Sequence, residues 1–159
     1  MRSLFSKIVP LDEIAEKIQA AKANGRKIVT TNGCFDLLHL GHVEYLIQAR
    51  TLGDLLVVGL NSDDSVRKLK GPTRPIFEEK VRAKQLAALE AVDFVTIFPE
   101  ATPERFLSLV FPHIHVKGGD YKPEDLPEKT VVEKGGGKVQ CLPFIEGFST
   151  TSLIEKLRN

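Results

Sequence analysis

The sequence has no tryptophan, one methionine and only two cysteines among its 159 residues. Cys34 and Cys141 form no CxxC pair, which argues against a disulfide framework and against a cysteine zinc site. No apolar run approaches the roughly 20 residues of a membrane-spanning helix. The first residues turn acidic before the apolar core of a signal peptide could form. The sequence therefore predicts a cytoplasmic protein with no membrane partner.

A charge excess of either sign is missing as well. The 22 Lys and Arg residues nearly balance the 21 Asp and Glu residues, and the formal net charge is +1. This balance argues against a nucleic-acid partner, because proteins of that kind concentrate positive charge. Internal repeats, low-complexity stretches and Pro/Gly/Ser-rich linkers are also missing. We expect one domain over residues 1–159, in which residues 1–25 form an N-terminal helical extension.

Strand-like and helix-like segments alternate along the chain. Strands are predicted at residues 27–31, 55–60, 94–98, 114–117 and 138–142, and helices at residues 11 to about 24, 43 to about 53, 78–91 and 149–157. Thr102-Pro103-Glu104 predicts the start of a further helix, capped by a hydroxyl. Residues 61–75 are predicted to be a loop that is mobile until a triphosphate binds. The alternation favours an α/β fold with a doubly wound, five-stranded parallel sheet.

Polar clusters follow three of the predicted strands. They are Gly33-Cys34-Phe35-Asp36, Asn61-Ser62-Asp63 and Lys117-Gly118-Gly119-Asp120. In open parallel sheets, ligands bind beyond the carboxyl ends of the strands, where the strand order reverses. The three clusters therefore predict one binding site at this edge.

His39 and His42 stand three residues apart at a predicted helix start, which places both imidazoles on one face. Gly41 between them leaves room for a ligand beside backbone amides that attract anions. Two imidazole donors beside free amides indicate a phosphate site. Three other interpretations stay open at this point: solvated surface histidines, a metal site that lacks a convincing third ligand, and an ordinary helix cap.

Three segments together resemble a known family. His39-Leu40-Gly41-His42 is similar to the HxGH signature of the nucleotidyltransferases that include glycerol-phosphate cytidylyltransferase and phosphopantetheine adenylyltransferase. Gly147-Phe148-Ser149-Thr150-Thr151 resembles the second signature of that family, and Gly118-Gly119-Asp120-Tyr121 its nucleotide-binding segment. The resemblance covers residues 27 to 158 and implies a Rossmann-like nucleotidyltransferase fold.

Four further segments are similar to the adenylyltransferases of ADP-heptose synthesis, namely residues 61–63, 70–75, 89–93 and 116–124. This resemblance implies transfer of AMP from ATP to D-glycero-β-D-manno-heptose 1-phosphate, with Mg²⁺ and release of pyrophosphate. The implied partners are ATP, a sugar phosphate and a second copy in a homodimer. In many bacteria this activity is fused to a sugar kinase. The sequence holds no kinase half, so we expect a stand-alone enzyme.

The resemblance also implies roles for individual residues. The expected catalytic set is His39, His42, Lys70 and Arg82, with Lys68 as the alternative loop lysine. The histidines would hold the triphosphate and stabilise its transition state, and Arg82 would reach phosphate. Asp36 would lie near the metal–phosphate complex and Asp120 near the ribose, without a metal site built by the protein alone. The expected nucleotide-binding residues are Gly33, Cys34, Phe35, Asp36, Gly41, Asn61, Lys117, Gly118, Asp120, Ser149, Thr150 and Thr151.

Simpler roles compete for several of these residues. Arg82 could be a solvated helix charge, Asp36 and Asp120 could cap turns, and the loop lysines could be solvated. Packing is the favoured role for the Cys34 thiol. Two other functions also compete with adenylyl transfer: a cytidylyltransferase acting on glycerol 3-phosphate or a related phosphate, and a nucleotide-binding sensor without turnover.

Overall fold

Five parallel strands form the centre of the protein, for which a computed structural model describes residues 3–159. The strands are β1 (Ile28–Gly33), β2 (Leu55–Asn61), β3 (Phe94–Phe98), β4 (Ile114–Gly118) and β5 (Lys138–Leu142), arranged in the order β3-β2-β1-β4-β5. Every residue of β2 is buried, as expected of a parallel strand covered on both faces. The predicted parallel sheet is confirmed, and its order reverses between β1 and β4.

Helices cover both faces of the sheet. They are α1 (Ile14–Ala23), α2 (Leu40–Arg50), α3 (Asp63–Lys70), α4 (Glu79–Ala87), α5 (Glu104–Val110), α6 (Lys129–Lys134) and α7 (Thr150–Arg158), with 3-10 turns at Leu4–Lys7 and Pro123–Asp125. Helices α2 and α4 pack apolar residues such as Leu46 and Leu86 on one face. Helices α1, α5 and α6 cover the other face with residues such as Ile18, Phe106 and Val132. Burial of these stripes, at about 25 cal/mol per Å² of apolar surface, drives the layers together.

The N-terminal extension is packed into this core. Ile14 and Ile18 of α1 are fully buried against the sheet. Val9 donates its backbone N–H to the Val95 carbonyl at 2.9 Å, which adds a short bridge beside β3. Residues 8–23 thus belong to the same packed unit as the strands.

The loop predicted at residues 61–75 is wrong over half its length, because residues 63–70 form helix α3. Ser62 caps this helix by accepting the Ser65 N–H at 3.2 Å. Asp63 and Asp64 lie in its first turn and three basic residues in its last, so both ends complement the helix dipole. The polar composition concealed these capping signals, and only residues 71–78 remain a loop between α3 and α4.

Two smaller predictions also need correction, and one short helix was not predicted. The helix expected at residues 78–91 ends at Ala87 and is followed by turns. Thr102 does not cap α5, whose N-cap is Pro103 without a side-chain hydrogen bond. Helix α6 was not predicted, because it has only six residues before the glycine run that follows it, too few for a clear helical period.

Strands β1 and β4 pair over only part of their length. Val29 pairs with Ile114 and Thr30 with His115, and the pairing stops there. By contrast, β1 pairs with β2 all the way from Ile28 to Gly33. From Thr31 and Val116 onward the two strands are therefore not paired, and we call the gap between their carboxyl ends the crevice. It lies where the strand order reverses, which is where ligands bind in such sheets.

Candidate active site

The two histidines of the HxGH motif stack at the start of α2. His39 is the N-cap residue, and its ring lies 3.8 Å from the His42 ring, centroid to centroid. His42 Nδ1 accepts the backbone N–H of His39 at 3.4 Å. In the neutral ring the proton therefore sits on Nε2, which can donate to a ligand. Burial, reinforced by the neighbouring His39, lowers the pKa of His42 to about 4.

The second signature segment, residues 147–151, directly contacts the HxGH segment and the loop before it. Thr150 Oγ1 donates to the Asp36 carbonyl at 2.8 Å, and the Phe148 ring stacks on His39 with 6.3 Å between centroids. A Cβ at Gly41 would lie 3.0 Å from both the His39 ring and the Phe148 side chain, so a larger residue there would push these two side chains aside. The two predicted motifs are thus brought together.

Two helix N-termini present free backbone donors at this place. Within residues 3–159, the N–H groups of Leu40, Gly41, Thr150 and Thr151 have no protein acceptor. Ser149 caps α7 by accepting the Ser152 N–H at 3.0 Å, which leaves the earlier amides open. His39 Nδ1 is also buried without a partner in the described chain. Amides and imidazoles of this kind bind phosphate oxygens.

Asp36 fastens the loop between α3 and α4. Its carboxylate accepts Arg74 Nε at 2.8 Å and the backbone N–H groups of Ile76 and Phe77 at 2.7 and 3.0 Å. Burial alone would raise the pKa of Asp36, but these hydrogen bonds and the Arg74 charge outweigh it and lower the pKa. The neighbouring Phe35 and Leu37 adopt left-handed backbone angles, with φ of 45° and 52°. Both carboxylate oxygens thus accept hydrogen bonds within the protein and hold this loop in place. The metal–phosphate contact expected of Asp36 stays a prediction.

Arg82 ties three segments together beneath the site. Its guanidinium is fully buried and donates to the carbonyls of Phe77, Cys34 and Asn61 at 2.9, 2.6 and 2.9 Å. The remaining bond, at 2.8 Å, goes to Asp63 Oδ1. The phosphate contact expected from sequence is therefore not the role that this geometry supports, because four of the five N–H donors are already used.

Helices α3 and α4 cap each other, which sequence reasoning missed. Asp63 Oδ1 accepts the Glu79 N–H at 2.8 Å, and Glu79 Oε2 accepts the Asp63 N–H at 2.7 Å. Each carboxylate satisfies an amide at the start of the other helix. An acidic residue at each helix start was the available signal, but the pairing is visible only in three dimensions.

Of the two candidate loop lysines, Lys70 lies beside the second signature. An open cleft of about 210 Å³ is lined by Lys70, Arg74 and Thr151, among others, between α3 and α7. Lys68 is exposed and does not line this cleft. The position therefore favours Lys70 as the lysine that could meet an anion.

On the far side of the crevice, β4 ends at Gly118, and Gly119 follows with φ of 112°. Asp120 is exposed beyond this turn. The Lys117 ammonium lies 3.0 Å from the buried Glu128 carboxylate, a partner that the sequence did not reveal. Burial, with the Lys117 charge, lowers the pKa of the neighbouring His115 to about 3.

Several residues that were expected to bind nucleotide have side chains that contact other parts of the protein. Phe35 is buried in the core against Gly33, and Asn61 Nδ2 donates to Ser65 Oγ at 2.8 Å. Burial raises the pKa of the Cys34 thiol despite nearby cations, which fits packing better than nucleophilic chemistry. The side chains of Phe35 and Asn61 are thus engaged within the protein, and nucleotide contacts of these residues stay predictions.

The sequence model of the cytidylyltransferase-like family matches residues 30–155, which include every segment of this site. The chain belongs to this family. The bifunctional protein HldE of Geotalea uraniireducens is 57% identical over 153 residues, covering 96% of this chain and 31% of that protein. HldE of Vibrio cholerae is 49% identical over 151 residues, covering 95% of this chain and 32% of that protein. The chain thus spans about a third of the length of these relatives.

A solved structure agrees with this assignment. The lipopolysaccharide core biosynthesis protein of Thermoplasma volcanium superposes with a TM-score of 0.63 at 32% identity, over 76% of this chain and 98% of that one. The resemblance to the HxGH nucleotidyltransferases, the Rossmann-like fold and the nucleotidyl-transfer class are thereby confirmed.

Members of this cytidylyltransferase-like family use a nucleotide together with a divalent metal. Among residues 3–159, no group of three or more His, Cys, Asp or Glu side chains is placed to hold a metal ion. Asp36, the expected neighbour of the metal, accepts three hydrogen bonds within the protein. The residues present therefore fit a divalent ion carried mainly by substrate phosphates, a mode common for Mg²⁺.

The helices of residues 3–159 were also compared with the length and hydrophobicity that a membrane span needs, and none of them meets both requirements.

Proposed function

We propose that this chain transfers AMP from ATP to D-glycero-β-D-manno-heptose 1-phosphate, giving ADP-heptose and pyrophosphate. The observation that carries the proposal is the stacked His39–His42 pair beside free amides of two helices. The HldE relatives and the lipopolysaccharide core biosynthesis protein support the choice of a heptose phosphate as acceptor. Homodimer formation, implied by the resemblance, and a cytoplasmic location, expected from the sequence, remain predictions.

The reaction needs positioning and charge stabilisation more than a protein nucleophile. A phosphate oxygen of the acceptor attacks the α-phosphorus, a new P–O bond forms, and the bond to the leaving pyrophosphate breaks. His42, donating from Nε2, and the amides of α2 stabilise charge that develops on the phosphates. Ser149, Thr150 and Thr151 at the start of α7 hold the far end of the triphosphate, with Lys70 beside them. Mg²⁺ bound to the phosphates would neutralise part of their charge.

The nucleoside is proposed to lie along the end of β4. Lys117, Gly118 and Asp120 are the residues expected there, with Asp120 near the ribose. The choice of ATP over CTP rests on the heptose-type segments and not on an identified base-reading side chain. Cytidylyl transfer to glycerol 3-phosphate is the second candidate, because the matching family is cytidylyltransferase-like.

Pyrophosphate release separates these candidates. Purified protein with Mg²⁺ is given ATP or CTP and either heptose 1-phosphate or glycerol 3-phosphate. We expect release with ATP and the heptose phosphate only. Use of CTP as well as or better than ATP would exclude the adenylyl assignment. Tight nucleotide binding without turnover with any acceptor would instead indicate a sensor.

A further inference from the structure

Tyr45, on α2, lies at the point where β1 and β4 separate. Its hydroxyl is 2.6 Å from Thr31 Oγ1 on β1 and donates to the Val116 carbonyl on β4 at 3.1 Å. Thr31 and Val116 are the first residues after the last β1–β4 pair, Thr30 with His115. The hydroxyl therefore bridges the two strands just where their own pairing ends.

Burial raises the pKa of Tyr45, so its hydroxyl stays protonated and can serve as donor and acceptor at once. A buried carbonyl without a partner is costly, and β1 backbone would be the ordinary partner for Val116. The tyrosine hydroxyl supplies that hydrogen bond from a side chain. The strands can then diverge without leaving the Val116 carbonyl unsatisfied.

The Tyr45 ring also defines one wall of the crevice. A Cβ placed on Gly118 would lie 3.3 Å from Tyr45 Cε2 and 2.9 Å from Phe144 Cε1. Two aromatic rings thus lie close against Gly118 at the end of β4. Tyr45 is three residues after His42, so the helix that presents the imidazole also sets the position of the opposite strand.

We propose that Tyr45 is a positioning residue for nucleotide binding, whose hydroxyl replaces a β1–β4 backbone hydrogen bond and holds the crevice at the width that the nucleotide requires. The inference rests on the proposed function, since it assumes that nucleotide enters this crevice. Tyr45 itself acts through β4 and needs no contact with the ligand. Without the hydroxyl, the Val116 carbonyl would seek a partner on β1, and the crevice would narrow.

The test compares Tyr45→Phe with Thr31→Val. Both variants remove one buried hydroxyl, but Thr31→Val leaves the bond from Tyr45 to β4 intact. ATP binding with Mg²⁺ is measured by calorimetry without acceptor, and the urea midpoint reports stability. We expect similar losses of stability in both variants. The Kd for ATP should rise about tenfold in Tyr45→Phe and by less than about threefold in Thr31→Val.

Amide exchange gives an independent measurement in the free protein. We expect Tyr45→Phe to change the exchange rates of residues 116–119, while Thr31→Val leaves them near the parent rates. Equal Kd values for Tyr45→Phe and the parent, or equal rises in both variants, would overturn the inference. A parent protein that binds neither ATP nor CTP would instead contradict the proposed function, because the comparison of variants would have no binding to alter.

Discussion

The charge state of His42 is set by its surroundings, which include His39. Burial and the neighbouring His39 lower the pKa of His42 to about 4 and so keep its ring neutral at physiological pH. A neutral ring donates from Nε2 without a standing charge, and a developing phosphate charge would strengthen that hydrogen bond. His42 is therefore expected to act more on the transition state than on the bound nucleotide.

Replacement of His42 by alanine should lower turnover about a hundredfold while the KM for nucleotide changes only a few-fold. The measurement is steady-state pyrophosphate release. His113→Ala is the matched control, because the His113 ring accepts the Ile28 N–H at 2.9 Å at the opposite end of the strands. Parent-like turnover in a folded His42→Ala protein would remove this histidine from catalysis.

Asp36→Asn should release residues 71–77 from the site. The amide of asparagine would face three donors with one acceptor oxygen, and Arg74 would lose its buried counter-charge. We expect a loss of about 3 kcal/mol in the free energy of unfolding. Asp64→Asn, which breaks the exposed pair with Arg67, should cost less than about 1 kcal/mol. Equal losses of unfolding free energy for both substitutions would contradict the role of the Asp36 carboxylate in holding this loop.

At the scale of elements, the segment after β2 divides into a fixed helix and a short loop. Reciprocal capping by Asp63 and Glu79, together with Arg82, fixes the start of α3 to α4. The lid predicted over the triphosphate is therefore limited to the end of α3 and residues 71–78. Lys70, the last residue of α3, stands at this boundary.

Trypsin should cut this region chiefly after Lys70, and ATP with Mg²⁺ should slow that cleavage. The reason is that Gly71 leaves the helix with φ of 101°, while the remainder of α3 is capped and hydrogen-bonded. Cleavage after Lys134, a Lys–Gly bond at the end of α6, provides the internal control and should be unaffected. Equal cleavage after Lys70 with and without nucleotide would count against a lid.

Across the whole molecule, the sequence predicted what depends on local pattern. A continuous apolar run located β2, short strand-like segments located β3 and β5, and the glycine and histidine motifs located the edge of the sheet where the site was predicted. The sequence did not predict the partners of Arg82, Asp36 and Glu128, because each bonds to residues distant in the chain. Helix α3 was missed for a different reason: a single buried valine, Val66, gives no helical period.

Acid should destabilise the protein below about pH 6.5. His42 and His115 have pKa values lowered from 6.5 to about 4 and about 3. Between pH 6.5 and the folded-state pKa values, the unfolded chain therefore binds protons at the two histidines and the folded chain does not. The contribution of these histidines to the free energy of unfolding is fully present above pH 6.5. As the pH falls below 6.5, it decreases by about 1.4 kcal/mol per pH unit for each histidine. Urea titrations from pH 7 to pH 5 measure the slope, which His115→Gln should reduce; an unchanged slope would contradict the assignment.

The short pairing of β1 with β4 also has a consequence for how the chain assembles. Strands β1 to β3 pair with near neighbours in sequence, and so do β4 and β5, whereas β1 and β4 join only at Val29–Ile114 and Thr30–His115. That joint closes the longest loop in the sheet with the fewest backbone bonds, so it should form late in folding and open early under stress. The crevice proposed to bind nucleotide lies beside these two residue pairs. Nucleotide binding would therefore stabilise the contact of strands β1 to β3 with strands β4 and β5. Only a chain in which β1 and β4 have paired could bind nucleotide.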